Sequence, residues 1–220
     1  MSKHLRRELD KVKKKMLSLG ALAEERARMA VQAVVSRDVA TAQRIIDSDW
    51  EIDAAEVEIE EDCLKILALY QPVAVDLRFL IATIKINNDL ERIGDESVNI
   101  AERLMIMAKR PPMQFVFDYS PMAEKVKIML KMSLDALVNL DVDLAFKVIT
   151  MDDGVDAIQT QAYDRIKEAI KEHPDRVGYL INLMLVSRHL ERVADHSTNI
   201  AEEVVYLIEG EIVRHSKHLE

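Results

Sequence analysis

Apolar residues recur every three or four positions along most of this chain, which is the spacing of one face of an α-helix. The pattern runs from Leu5 and Leu9 to Val34 at that spacing. A second helix is predicted from about residue 38 to Tyr70, and a third from about Val73 to Lys109. Prolines separate these segments, because proline lacks a backbone donor and restricts the residue before it.

The same helical pattern occurs a second time. Residues 90–102 (LERIGDESVNIAE) and 190–202 (LERVADHSTNIAE) are identical at nine of 13 positions. Upstream, residues 38–53 align with 141–156 at an offset of 103. The second set of helices is predicted at about 121–139, 141–172 and 175–210.

The repeat predicts an all-α protein of six helices, arranged as two tandem three-helix bundles. The segment from Pro111 to Ser120 contains two adjacent prolines and is interpreted as the connector. We therefore predict one bundle in residues 1–112 and a second in residues 113–220.

Composition agrees with helices and narrows the function. Hydrophobic residues make up 49% of the 220 residues, with only five Gly and five Pro. The net charge of −9 disfavours nucleic acid, whose binding depends on cationic side chains. A single cysteine, Cys63, excludes an intramolecular disulfide and fits a reducing compartment, so we expect a cytoplasmic location.

Membrane insertion and secretion are not expected. The basic N-terminal stretch is not followed by the apolar run of a secretory signal. No run of 18 uncharged apolar residues occurs, so no segment is expected to span a bilayer.

Pairs of acidic residues four positions apart are the main candidate for chemistry. On a helix, such residues lie on one face with Cβ atoms about 6 Å apart. Each predicted bundle has one pair on its second helix and one on its third. In the first bundle these are Asp49 with Asp53 and Glu91 with Asp95, and in the second Asp152 with Asp156 and Glu191 with Asp195.

The two pairs of a bundle are predicted to lie at the same level. Asp53 lies 19 residues before Pro72 and Glu91 lies 19 residues after it, so folding at the proline brings them together. Two unit charges 6 Å apart repel by about 3 kcal/mol at an effective dielectric of about 20. Bound cations would relieve this repulsion, and oxygen ligands suit hard divalent ions or iron. A solvated acidic face with local ion pairs is the alternative.

Other polar residues are weaker candidates. His189 and His196 flank the second motif, but the first motif has Asp89 and Glu96 at those positions, so either histidine could add a ligand in one bundle only. Asn88, Asn99 and Asn199 continue the polar stripe and could complete a coordination shell. The sequence contains no GxxxxGK[ST], GxSxG or CxxC motif, and nothing indicates a nucleophile or an enzyme.

These motifs together resemble the PhoU family of bacterial phosphate-transport regulators. The resemblance covers nearly the whole chain. It rests on QPVAVDLR at 71–78, NNDLERIGD at 87–95, LERVAD at 190–195, the Asp-Val pairs at 38 and 141, and EGEIVRH at 209–215.

The resemblance implies a fold of two three-helix bundles related by pseudo-twofold symmetry. It also implies multinuclear clusters of iron, zinc, nickel, manganese or magnesium at the eight paired carboxylates. The family's role is negative regulation of phosphate uptake and of phosphate-starvation signalling. The implied partners are the ATPase of the phosphate ABC transporter and the phosphate-sensing histidine kinase, with membrane contact through partners only and a homodimer expected.

Two alternatives differ from this interpretation. A di-iron carboxylate enzyme would use Glu-x-x-His pairs in a four-helix bundle, whereas the spacing here is [ED]xxxD in three-helix bundles. A plain helical interaction scaffold would leave the carboxylates solvated and bind no metal.

Overall fold

The computed structural model describes residues 3–111, 113 and 117–213, and most of these residues lie in helices joined by short loops. A short 3₁₀ turn, Pro174–Arg176, precedes the last helix. The α-helices in these ranges are α1 (Lys3–Ser36), α2 (Val39–Asp47), α3 (Trp50–Tyr70), α4 (Ala74–Ala108), α5 (Ser120–Asn139), α6 (Val142–Glu172) and α7 (Val177–Glu209).

The helices form the two predicted three-helix bundles, which confirms the all-α fold. The first consists of α1, α4 and the α2–α3 pair, and the second of α5, α6 and α7. Helices α4 and α7 pack against each other in the centre. The division between residues 112 and 113 stays a prediction, because Pro112 lies outside the described residues. Residues 114–116 of the predicted connector and 214–215 of the EGEIVRH motif also lie outside them.

Matching aspartates begin the second helix of each bundle. Asp38 Oδ1 accepts a hydrogen bond from Thr41 N at 3.1 Å, and Asp141 Oδ1 accepts one from Leu144 N at 2.9 Å. A side-chain oxygen at this position satisfies an amide that the first helical turn leaves without a partner. The two Asp-Val pairs of the repeat are therefore helix starts.

The second helix of the first bundle is interrupted, whereas its counterpart α6 is continuous. At the interruption, Ser48 Oγ donates to Arg44 O at 2.7 Å, and the backbone bonds shift to the i→i−3 type, from Ser48 N to Ile45 O and from Asp49 N to Ile46 O. A serine that bonds to the preceding turn competes with the helix ladder and bends it. The sequence pattern predicted one helix here; the structure has α2 and α3, and Asp49 lies at the bend.

The residues at helical spacing that the repeat aligns in α4 and α7 form two seams in the core. Each member is at most 2% exposed, and the members are Ile86, Leu90, Ile93, Ser97, Ile100 and Leu104 in α4 and Val186, Leu190, Val193, Ser197, Ile200 and Val204 in α7. Burying a Leu or Ile side chain contributes about 1.5–3 kcal/mol, so these seams hold the two bundles together. None of the described helices is long and apolar enough to cross a membrane.

Gly94 allows α3 to approach α4 closely beside the acidic pairs. A Cβ at Gly94 would lie 2.8 Å from Ile52 Cδ1, which is closer than carbon atoms pack. The repeat places Ala194 and Val155 at the matching positions of the second bundle. One methyl group has therefore moved from one helix to the other between the two bundles.

Candidate metal centre

Three carboxylates of the second bundle converge. Asp156 on α6 and Glu191 and Asp195 on α7 each offer an oxygen, and these oxygens all lie within 4.8 Å of one another. Asp156 is exposed, while the two α7 residues are half-buried. The i,i+4 spacing sets Glu191 and Asp195 on one face of α7, and the antiparallel course of α6 brings Asp156 against them.

The convergence raises the pKa of two of these groups. Burial is the largest cause for both Glu191 and Asp195, followed by the neighbouring carboxylates. Asp152, the fourth predicted ligand of this bundle, contributes to both shifts and so lies near them. Asp152 Oδ1 also accepts a hydrogen bond from Thr198 Oγ1 at 3.3 Å.

The four predicted ligands of the first bundle also face one another, but less tightly. Burial, then Asp53 and Asp95, raise the pKa of Asp49. The pKa of Glu91 rises through burial, then Asp95, and more weakly Asp53. Within the described residues, only the second bundle has three such side chains with ligand atoms within 4.8 Å of one another.

Arg92 occupies the first bundle's acidic face. Its Nη1 lies 3.1 Å from Asp95 Oδ2, and its Nε lies 3.4 Å from Glu91 Oε2. Glu91 Oε2 is nevertheless buried and accepts no hydrogen bond from any described residue. A buried carboxylate oxygen without a donor costs about 1–3 kcal/mol, more if charged, which a cation would offset.

Arg192, the counterpart of Arg92, has a different partner. Its Nη1 lies 3.0 Å from Glu96 Oε1 on α4, and His189 Nδ1 lies 2.6 Å from Glu96 Oε2. Burial raises the pKa of Glu96, but the hydrogen bond from His189 and the charge of Arg192 outweigh it, so the pKa is lowered overall. Glu96 thus holds Arg192 in an ion pair, and the charge of Arg192 lowers the pKa of Asp195 only as the weakest of the influences on that group.

The repeat explains why Arg92 lacks such a partner. The position that matches Glu96 is His196, which carries no carboxylate. Instead, His196 Nδ1 lies 2.8 Å from Asp89 Oδ1, and Asn199 Nδ2 donates to the same oxygen at 3.1 Å. Because its counterpart across the α4–α7 interface is a histidine and not an acid, Arg92 pairs with Glu91 and Asp95 of its own helix.

Sequence reasoning missed this polar interface. His189, His196 and Asn199 were candidate ligands, and the structure places them on Glu96 and Asp89 instead. A further cross-bundle pair joins Lys85 Nζ to the buried Glu203 at 3.1 Å. The repeat contained a signal of this interface. At two positions one copy of the motif has an acid where the other has a histidine, and the pseudo-twofold symmetry places each acid against a histidine of the other copy.

The donor set is suited to hard cations. All eight predicted ligands are carboxylates, and Glu91 Oε2 is buried without a hydrogen bond, although Arg92 Nε lies 3.4 Å from it. Oxygen ligands of this kind select magnesium, manganese, calcium or iron over softer ions.

The comparisons with known proteins follow the same division of the chain. The family model described as the PhoU domain matches twice, at residues 16–104 and 119–204. The chain belongs to the PhoU family. Each match covers most of one three-helix bundle, so the internal repeat is a duplication of the PhoU domain.

Relatives and solved structures of the PhoU family match nearly the whole chain. A phosphate-specific transport system accessory protein PhoU homolog of Aquifex aeolicus is 40% identical over 209 residues, 95% of each protein. The crystal structure of PhoU from Pseudomonas aeruginosa matches with a TM-score of 0.91 and 34% identity, covering 94% of this chain and 99% of that one. The phosphate transport system regulatory protein PhoU from Streptococcus pneumoniae matches with a TM-score of 0.83 and 30% identity, covering 95% and 99%.

Proposed function

We propose that this chain is a cation-binding regulator of phosphate transport. Its PhoU-family relatives are named accessory or regulatory proteins of phosphate transport systems, which supports a regulatory role. The observation that carries the cation-binding part is the convergence of Asp156, Glu191 and Asp195 to within 4.8 Å.

The proposed role is negative regulation of phosphate uptake and of phosphate-starvation signalling. The partners would be the ATPase of the phosphate ABC transporter and the phosphate-sensing histidine kinase, at the cytoplasmic side of the membrane. A homodimer is part of the proposal. The names of the relatives support association with a phosphate-specific transport system.

A bound cation would neutralise the carboxylates and join two helices of a bundle. In the second bundle the ligands would be Asp152 and Asp156 of α6 with Glu191 and Asp195 of α7. In the first they would be Asp49, Asp53, Glu91 and Asp95. The cation would supply charge compensation and rigidity, and the outer helix faces would remain available for partners.

A non-enzymatic role is part of this proposal. The names of the PhoU relatives describe accessory and regulatory proteins, which favours an adaptor over a catalyst. Both bundles also present carboxylates alone, whereas di-iron enzymes add a histidine three residues after a ligand glutamate.

The test combines metal content with partner capture. Wild-type protein and Glu191→Gln/Asp195→Asn are compared with Asp164→Asn, an exposed change elsewhere on α6. We expect the second bundle of the double variant to bind manganese at least roughly 100-fold more weakly than in wild type, because two ligands are lost. The double variant should therefore lose most of the manganese of that bundle. Wild type and control should retain the transporter ATPase and the kinase domain in a pull-down, and retention should fall after chelation.

Two results would contradict the proposal. Equal manganese binding by the double variant would show that these carboxylates hold no cation. Failure of manganese-loaded wild-type protein to retain either partner would reject the adaptor role.

A further inference from the structure

The outward face of α3 carries three large, exposed apolar side chains. Trp50, Val57 and Leu64 are 66%, 51% and 52% exposed. They follow one another at intervals of seven residues, which is close to two helical turns, so they lie on one side of the helix. We call these three residues the α3 stripe.

The α3 stripe is distinct from the face that packs inside the protein. Helix α3 packs on α1 and α4, and its buried residues are Ile52, Ile59, Cys63 and Ile66. Helix α3 is therefore apolar on two faces, and only one of them packs against another of the described helices.

The spacing of the stripe matches a helix–helix contact. Single exposed apolar residues are common on proteins, but a repeat of seven is the pattern by which one helix packs along another. Ala54 and Ala68 are exposed and lie four residues after Trp50 and Leu64. These small residues leave room for the side chains of a second helix between the large ones.

The second bundle lacks this surface. The repeat aligns Trp50, Val57 and Leu64 with Asp153, Thr160 and Lys167 of α6. The inner face, in contrast, keeps its apolar character, because Ile52 and Ile59 align with the buried Val155 and Ala162. The fold thus needs the inner face in both bundles but does not need the stripe.

The charge around the stripe selects its occupant. Helix α3 contains seven acidic residues and one lysine, Lys65. Glu60 and Glu61 lie three or four residues from both Val57 and Leu64 and flank the stripe. A second copy of α3 would bring like charges together, and nucleic acid or an anionic membrane would be repelled in the same way.

We propose that the α3 stripe docks a helix of a partner protein whose apolar seam is flanked by lysine and arginine. Apolar contact along the seam supplies affinity, and the acidic flanks select the basic partner. The biological use of this surface rests on the proposed adaptor function, but the physical argument uses no bound metal.

Trp50 provides a direct readout, because it is the only tryptophan of the chain. The probe is a synthetic helical peptide of about 21 residues with leucine at heptad spacing and lysine on both flanks. A matched peptide carries glutamate in place of each lysine. We expect the basic peptide to shift the Trp50 emission to shorter wavelength, with a Kd below about 100 µM.

The variants separate the stripe from the rest of the surface. Val57→Gln/Leu64→Gln leaves Trp50 in place and changes only exposed residues, so helicity by circular dichroism should be unchanged. Its affinity for the basic peptide should fall about tenfold or more, because apolar anchors dominate helix docking. Phe146→Gln, at a residue of α6 that is 42% exposed, should bind as wild type does.

Four results would overturn the proposal. These are no emission shift with the basic peptide, equal binding of the acidic peptide, a shift on raising the protein concentration alone, and a shift with phosphatidylglycerol vesicles. The third would assign the stripe to a second copy and the fourth to a membrane. Peptide binding is measured without the transporter or the kinase. A negative pull-down would therefore count against the adaptor function and would not decide whether the α3 stripe binds a basic helix.

Discussion

The two bundles repeat the same four carboxylates but arrange the neighbouring arginine differently. In the second bundle Arg192 lies 3.0 Å from Glu96 across the α4–α7 interface, and three carboxylate oxygens approach within 4.8 Å. In the first bundle Arg92 lies 3.1 Å from Asp95. The difference follows from one position of the repeat, which is glutamate in α4 and histidine in α7.

The predicted ligands therefore differ in role from the residues that leave those ligands accessible to a cation. Glu191 and Asp195 match Glu91 and Asp95, so the ligands alone do not distinguish the bundles. We propose that the carboxylates of the second bundle remain accessible to a cation because Glu96, which is not among the predicted ligands, pairs with Arg192. We therefore expect the second bundle to bind cations more tightly than the first.

Glu96→Gln should make the second bundle resemble the first, and this is the largest effect expected among the variants that test the comparison. Arg192 would lose its carboxylate partner and is expected to pair with Glu191 and Asp195 instead. Manganese affinity of the second bundle should therefore fall about tenfold, as for other residues that support ligands. The unfolding free energy should fall by about 1–3 kcal/mol, because His189 also loses a charged partner.

Isothermal titration with manganese and thermal unfolding of the metal-free protein measure the two effects. Glu24→Gln, at a half-buried position of α1 far along the chain from either motif, serves as the control. Unchanged manganese affinity in Glu96→Gln would contradict the role assigned to Glu96.

Arg92→Gln should make the first bundle resemble the second. Removing the guanidinium leaves Glu91 and Asp95 without their nearest cation, so manganese affinity of the first bundle should rise several-fold. Arg103→Gln, which removes another arginine of α4, should leave it unchanged, since Arg103 pairs with Glu102. A fall in affinity in Arg92→Gln would mean that the arginine supports the site rather than competing for it.

The raised pKa values of Glu191 and Asp195 set the sign of a pH effect. A carboxyl whose folded pKa is raised destabilises the fold at pH values above that pKa, and the loss disappears below the unfolded value of about 4. Metal-free Glu191→Gln/Asp195→Asn should therefore exceed wild type in unfolding free energy near pH 8, with the difference shrinking towards pH 4. Thermal unfolding across this range checks it, and a difference that grows on acidification would contradict the assignment.

Moving a methyl group from α3 to α4 in the first bundle, as the sequence of the second bundle does, should give the smallest effect. Gly94→Ala places a Cβ near Ile52, and Ile52→Val removes the Cδ1 that it meets. The cost of Ile52→Val, typically about 0.5–1.5 kcal/mol, should therefore be smaller in the Gly94→Ala background. A double-mutant cycle by denaturant unfolding measures this coupling, and additive costs would show that the two positions do not compensate.

Helix periodicity and the repeat were sufficient to predict the fold, because apolar spacing and the prolines determine where each helix begins and ends. The bend at Ser48 was not predicted, since it depends on a side-chain hydrogen bond to the preceding turn. The carboxylate pairs were visible as i,i+4 spacings, and their facing positions followed from equal distances to Pro72. The roles of Glu96 and Arg192 required the packing of α4 on α7, which no local pattern reveals.

The most direct test of the account is anomalous diffraction from crystals soaked in increasing manganese concentrations. We expect the first anomalous peak among Asp156, Glu191 and Asp195, with a peak beside Glu91 and Asp95 appearing only at higher concentration. A peak that appears first in the first bundle, or no peak at either set of carboxylates at saturation, would contradict it.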